Sequence, residues 1–105
     1  MAIALINSVS AGAVSNNNSV TTAADDMTGA DFLVLASGYE NVAGVTIPTE
    51  SDSQSNAYSD LSASSNGAAA NVLHYKAAPS VSATMTFTTT IDGVFLVDPS
   101  VCAAG

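Results

Sequence analysis

Positive charge is almost absent from this chain: Lys76 is the one basic residue against nine acids, for a formal charge of −8 and a pI near 4.1. Such a surface repels phosphate backbones and has no basic stripe with which to release counterions, so no nucleic-acid partner is expected. Cysteine is as scarce. Cys102 alone cannot close an intrachain disulfide, and with no base or cation near it in sequence it reads as a small apolar residue. No stretch approaches the roughly 18 apolar residues of a membrane span, so no membrane partner is expected. The apolar opening, residues 1–6, has no basic residue ahead of it and runs straight into Asn7 and Ser8. It does not read as a secretion signal, and the expectation is synthesis in the cytoplasm. Tryptophan is missing, so large core side chains are few. Phe32, Phe87, Phe95, Tyr39, Tyr58 and Tyr75, with the Leu, Ile and Val positions, must carry most of the apolar burial. A single domain over residues 1–105 is expected, of modest stability alone, which makes a homo-oligomer or docking onto a larger assembly a reasonable expectation.

What is present is small, β-branched and hydroxyl-bearing, cut by Asn, Gly and Pro turns. Residues 2–7 read as a first strand, 8–18 as a Ser/Asn-rich connection and 19–24 as a Thr-rich strand. The strongest apolar run, Phe32-Leu33-Val34-Leu35-Ala36, lies in a strand over 31–39 and fits one covered on both faces. Residues 42–49 form a short strand candidate ended by Pro48, 50–56 a polar loop, and 57–61 a short strand around Tyr58. Over 70–77 the pattern alternates: Leu73 and Tyr75 share one face, Val72, His74 and Lys76 the other. The cleanest period of two is over 83–90, where Met85 and Phe87 point inward and Thr84, Thr86 and Thr88 outward. Residues 93–97 read as a last strand, ended by Asp98-Pro99. The fold class is therefore all-β, a small antiparallel β-sandwich or jelly roll of about seven or eight short strands.

No spacing of His, Cys, Asp or Glu forms a reaction centre, and an enzyme is not expected. His74, the one histidine, would have to serve any Ser-His-Asp arrangement. No Gly-x-Ser-x-Gly elbow accompanies it, and a structural strand histidine is its default reading. Asp25, Asp26 and Asp31, or Glu50, Asp52 and Asp60, are the sets that a Ca²⁺ ion would need to gather, but neither follows an EF-hand pattern and solvated loop acids are the plainer account. No metal or cofactor is expected. The row Thr84, Thr86, Thr88, Thr90 has the regular hydroxyl spacing that matches an ordered lattice, or else fills a solvent face with β-formers. Asn17-Asn18-Ser19 is a formal glycosylation sequon of a kind that Asn/Ser-rich chains produce by chance.

Two segments carry a resemblance. Ser51-Asp52-Ser53-Gln54-Ser55-Asn56-Ala57-Tyr58, followed at a distance by Leu73-His74-Tyr75-Lys76-Ala77-Ala78-Pro79-Ser80-Val81 and by Thr84-Met85-Thr86-Phe87-Thr88, resembles a β-sandwich domain of tailed-phage structural proteins. There a polar Ser-Asp-Ser turn leads to Asn and an aromatic residue, and a later Tyr-x-x-x-Pro segment precedes a Thr-Phe-Thr strand. The Gly often found before that Asn is Ser55 here, and the His often found ahead of the strand core is Met85. The family usually continues with further strands where this chain stops.

The resemblance implies a virion structural protein with no catalytic residues. The expectation is a capsid decoration (cement) protein on the outer surface of the particle, made in the host cytoplasm and bound in many copies to the major capsid protein or another virion protein. Alternatives are a tail-fibre or host-recognition module for surface glycan, and a self-assembling fibre subunit. The expected contact residues are apolar and near-terminal: Ala2, Ile3, Leu5 and Ile6 at one end, Val97 and Val101 at the other.

Overall fold

A computed structural model describes residues 3–11, 14–40, 47–61, 63–65 and 69–105. Its described elements are eight strands, β1 (Leu5–Ser10), β2 (Val14–Thr21), β3 (Phe32–Glu40), β4 (Thr49–Asp52), β5 (Ser59–Asp60), β6 (Ser64–Ser65), β7 (Ala69–Ala77) and β8 (Phe87–Ala104). Every pairing among them is antiparallel. The fold is the expected small all-β one, with two leaves packed face to face.

One strand builds both leaves. The first part of β8 runs between β2 and β4, with Thr89 opposite both Val20 and Glu50. The last part runs between β1 and β3, with Val101 opposite both Val9 and Leu35. The larger leaf has the order β1-β8-β3-β7-β5, with β6 also on β7. Register shifts between Val14, Asn17 and Ser19 mark where β2 bends along with β8 as it passes from leaf to leaf. This corrects the expected end of the last strand at Asp98-Pro99. Pro99 lies after β2's last partner, Val97, and before β1's first, Ser100, so on that flank its missing N–H breaks no ladder bond.

Alternation places the core between the leaves. Leu33 and Leu35 from β3 and Val101 and Ala103 from β8 meet Phe87 and Met85 from the other leaf, with Met27 and Ala30 closing that end. A second cluster joins Val20 and Ile91 to Tyr39, Ala70 and Val72. The Met85/Phe87 expectation holds. The outward threonines are partly engaged across strands, as in the 2.8 Å contact of Thr21 Oγ1 with Thr88 Oγ1.

Other boundaries shift. The first strand begins at Leu5, and the connection expected over 8–18 already contains the start of β2 at Val14. The expected loop over 50–56 begins inside β4, because Glu50 turns inward onto hydrogen-bond partners instead of outward to water. Most of the strand candidate over 42–49 lies outside the described residues.

Candidate functional site

The outward side chains of the larger leaf make its most distinctive surface. Phe32, Val34 and Ala36 on β3 lie beside Ala77, Tyr75 and Leu73 on β7 and beside Ala104, Cys102 and Ser100 on β8. None of these carries a formal charge at neutral pH, on a chain of net charge −8. Phe32 and Tyr75 stack with ring centroids 5.9 Å apart and planes 13° from parallel. Leu61 and Leu73 stand 49% and 41% exposed beside them. These side chains, with Val34 and His74, line an open hollow of about 340 Å³. A second hollow of about 320 Å³ continues the surface past Phe32 to Ile3, Asp31, Ala104 and Gly105. This largely apolar sheet face, with the acid Asp31 at its border, has the composition found in contact surfaces.

The expected contact residues divide. Ile3, Leu5 and Ile6 are exposed, and Leu5 stands opposite Ala104 at the edge of the apolar face. Val101 is corrected: at 1% exposure it belongs to the core, because its register position on β8 turns it toward Leu35 and Phe87. Val97 stands opposite Val14 and Tyr39 in the ladder, not in a free tail, and its side chain, like Ala2, lies outside the described residues. The stacked Phe32–Tyr75 pair was missed in the sequence, although the alternation over 70–77 had put Leu73 and Tyr75 on one face.

The motif residues of the Ser-Asp-Ser turn form a hydrogen-bonded knot at one end of the leaves. Asp52 Oδ1 accepts from the backbone N–H of Gln54 at 2.8 Å and of Asn56 at 3.1 Å. Its Oδ2 accepts from Asn56 Nδ2 at 2.8 Å and from the Tyr58 hydroxyl. Asn56 also donates to the Ser80 carbonyl and accepts from the Ser80 N–H, each at 2.8 Å, which fastens the turn to the segment after Pro79. Burial, then the Asp52 bond, holds the Tyr58 phenol well above the usual tyrosine range, so it remains a donor. Ser55 adopts φ 60° within this turn.

Neither acid set gathers as a Ca²⁺ ion would require. Asp52 is engaged in the turn, Asp25 accepts from Asn7 Nδ2 at 2.8 Å, and Asp26 accepts from the Thr28 N–H at 2.9 Å. Bonds from Thr28, side chain first and then backbone, hold Asp26 below the usual carboxylate range. Among the described residues, no three of His, Cys, Asp and Glu are placed to hold a metal ion.

His74 is more than a core filler. Its Nδ1 lies 2.5 Å from Asp60 Oδ1, and its Nε2 lies 3.6 Å from Oε1 of Glu50, whose side chain is fully buried. Glu50 accepts from Ser37 Oγ at 2.5 Å and from Thr89 Oγ1 at 2.7 Å. Burial pushes the Glu50 carboxyl above its ordinary range, while the bonds from Ser37 and Thr89 and the charge of His74 pull the other way. Ser37 is itself 1% exposed and gives its proton to Glu50, so this Ser, His and acid grouping has no accessible nucleophile. Nothing in the order of residues marks it, because Glu50 and His74 are neighbours only across the two leaves. The chain matches no family model, no curated protein and no solved structure.

Proposed function

We propose that this protein is an adhesive structural subunit, a capsid decoration protein of a tailed phage that binds the outer shell in many copies. The observation that carries this reading is the division of the surface: one sheet face is largely apolar, while the chain as a whole carries a charge of −8. The apolar face and the adjoining Ile3, Leu5 and Ile6 supply the contact. The acids left facing solvent keep coated particles apart. Binding to the assembled shell and not to free shell protein stabilises the assembly by mass action. The resemblance of the Ser-Asp-Ser turn and the Thr-Phe-Thr strand to tailed-phage proteins supports the same reading.

A glycan-binding tail module is the second reading, favoured by the stacked Phe32–Tyr75 pair, since sugar rings pack on aromatic faces. Quantitative mass spectrometry of purified particles, with a cryo-EM reconstruction, separates the two. Copies in fixed proportion to the major shell protein, with the Leu73–Tyr75 face against it, are expected. A few copies at the tail transfer the assignment to host recognition, and absence from particles overturns both.

A further inference from the structure

Glu50 and His74 are an acid and a base whose side chains are both buried between the leaves, with Asp60 adjoining them from a more exposed position. Glu50 belongs to β4 in the smaller leaf, as does its donor Thr89 on β8, whereas Ser37 on β3 and His74 on β7 reach it from the larger leaf. Its carboxyl group therefore spans the gap between leaves. Asp60 on β5, with its side chain 55% exposed, holds the far side of the imidazole. Placing the ring proton on Nδ1 lets the imidazole donate to Asp60 Oδ1. His74 Nε2 is then left buried with no hydrogen-bond partner, facing Glu50 Oε1.

Three protonation levels of that pair are possible; with two protons, Glu50 O–H and Nε2–H face each other as two donors. With one proton between them, either Glu50 O–H faces the Nε2 lone pair or Nε2–H faces a Glu50 carboxylate, and both are attractive. With none, a buried carboxylate faces a buried lone pair, and each has lost water without gaining a donor from the other. We infer that Glu50 and His74 form a one-proton latch between the two leaves: the proton held between Oε1 and Nε2 keeps the leaves closed, and its loss lets them part. The inference does not rest on the adhesive reading.

Other ionisable groups around the array are few. Tyr58, ahead of β5, is influenced by Glu50 and Asp52 and stays neutral, and Lys76 lies two residues from His74 on β7. β3 and β8 present the hydroxyls of Ser37 and Thr89. The sign follows from Glu50. Burial raises its carboxyl group above the ordinary glutamate range, so over the pH window between the two values the folded Glu50 holds a proton that the unfolded Glu50 releases. The stabilisation is complete below the unfolded value and is lost as pH rises through the folded one.

NMR of the wild-type chain tests this directly, since His74 is the one histidine and needs no assignment by mutation. Across a pH series, the Glu50 Cδ resonance is expected to move at a midpoint above that of an ordinary glutamate, with the His74 Nε2 resonance followed alongside. Amide protection factors in β4 and at Leu61, whose N–H bonds the Leu73 carbonyl, are expected to fall up to about tenfold per pH unit beyond it. Glu50→Gln places a permanent N–H donor at this position, and its protection factors are expected to stay level over the same range. A Glu50 that titrates like an exposed glutamate, protection factors unchanged through the step, or a Glu50→Gln variant that loosens as the wild type does would overturn the latch.

Discussion

Ser55 holds a backbone conformation that suits glycine. Its φ of 60° is in the left-handed region, where a side chain costs about 1 kcal/mol relative to glycine. Ser55→Gly is expected to raise stability by up to about 1 kcal/mol, less the extra freedom that glycine gives the unfolded chain, read as a higher urea midpoint with unchanged slope. Asp52 is the opposite case. It accepts four hydrogen bonds, two from backbone and two from side chains, and no neighbouring group replaces it. Asp52→Ala is expected to lower stability by about 2–4 kcal/mol in the same assay.

Among the elements, β8 has the largest role, since four other strands pair with it in the described ladder and Phe87 carries the contact between leaves. Phe87→Ala is expected to cost about 3–5 kcal/mol, whereas Leu73→Ser on the outer face should change stability by less than about 1 kcal/mol. Under the proposed decoration role, the same Leu73→Ser change is expected to reduce co-sedimentation with stripped particles. How well each element could be read from sequence follows from which interactions define it. The position of β3 was legible in its continuous apolar run, although the expected cover on both faces is not there, since the face bearing Phe32 is open; β7 was legible because its two faces differ in hydropathy. β4 was not, because its inward residue is an acid whose partners, Ser37 and Thr89, lie far away in the chain. β8 was cut short in the sequence reading because Pro99 signals a stop unless the flanking strands are known to change there. The exposed face was half legible: Leu73 and Tyr75 were seen to share a side, but only the fold shows that side turned to solvent beside Phe32.

The whole molecule is a small sandwich with a strong surplus of one charge, and its stability should follow ionic conditions. Negative charges on a body with principal extents of 41 × 26 × 20 Å lie within a few screening lengths of one another. Added sodium chloride is expected to raise the unfolding temperature between low and physiological ionic strength and then to level off, as scanning calorimetry would record. A melting temperature insensitive to salt would mean that the acids are already locally compensated, as Asp25, Asp26 and Asp52 are.

The shared strand also sets a timetable. β1, β2 and β4 find their described ladder partners in residues 87–104, so while the chain is being made these strands have no sheet to join until that segment emerges. At ordinary elongation rates the wait for β1 is on the order of ten seconds. Beyond Leu5 and Ile6 the exposed residues of β1 are serines, and most of β2 is Ser and Asn, poor material for aggregation during that interval. The strand that joins the leaves thus also decides when folding can begin, and the polar character of its early partners keeps the waiting chain out of trouble.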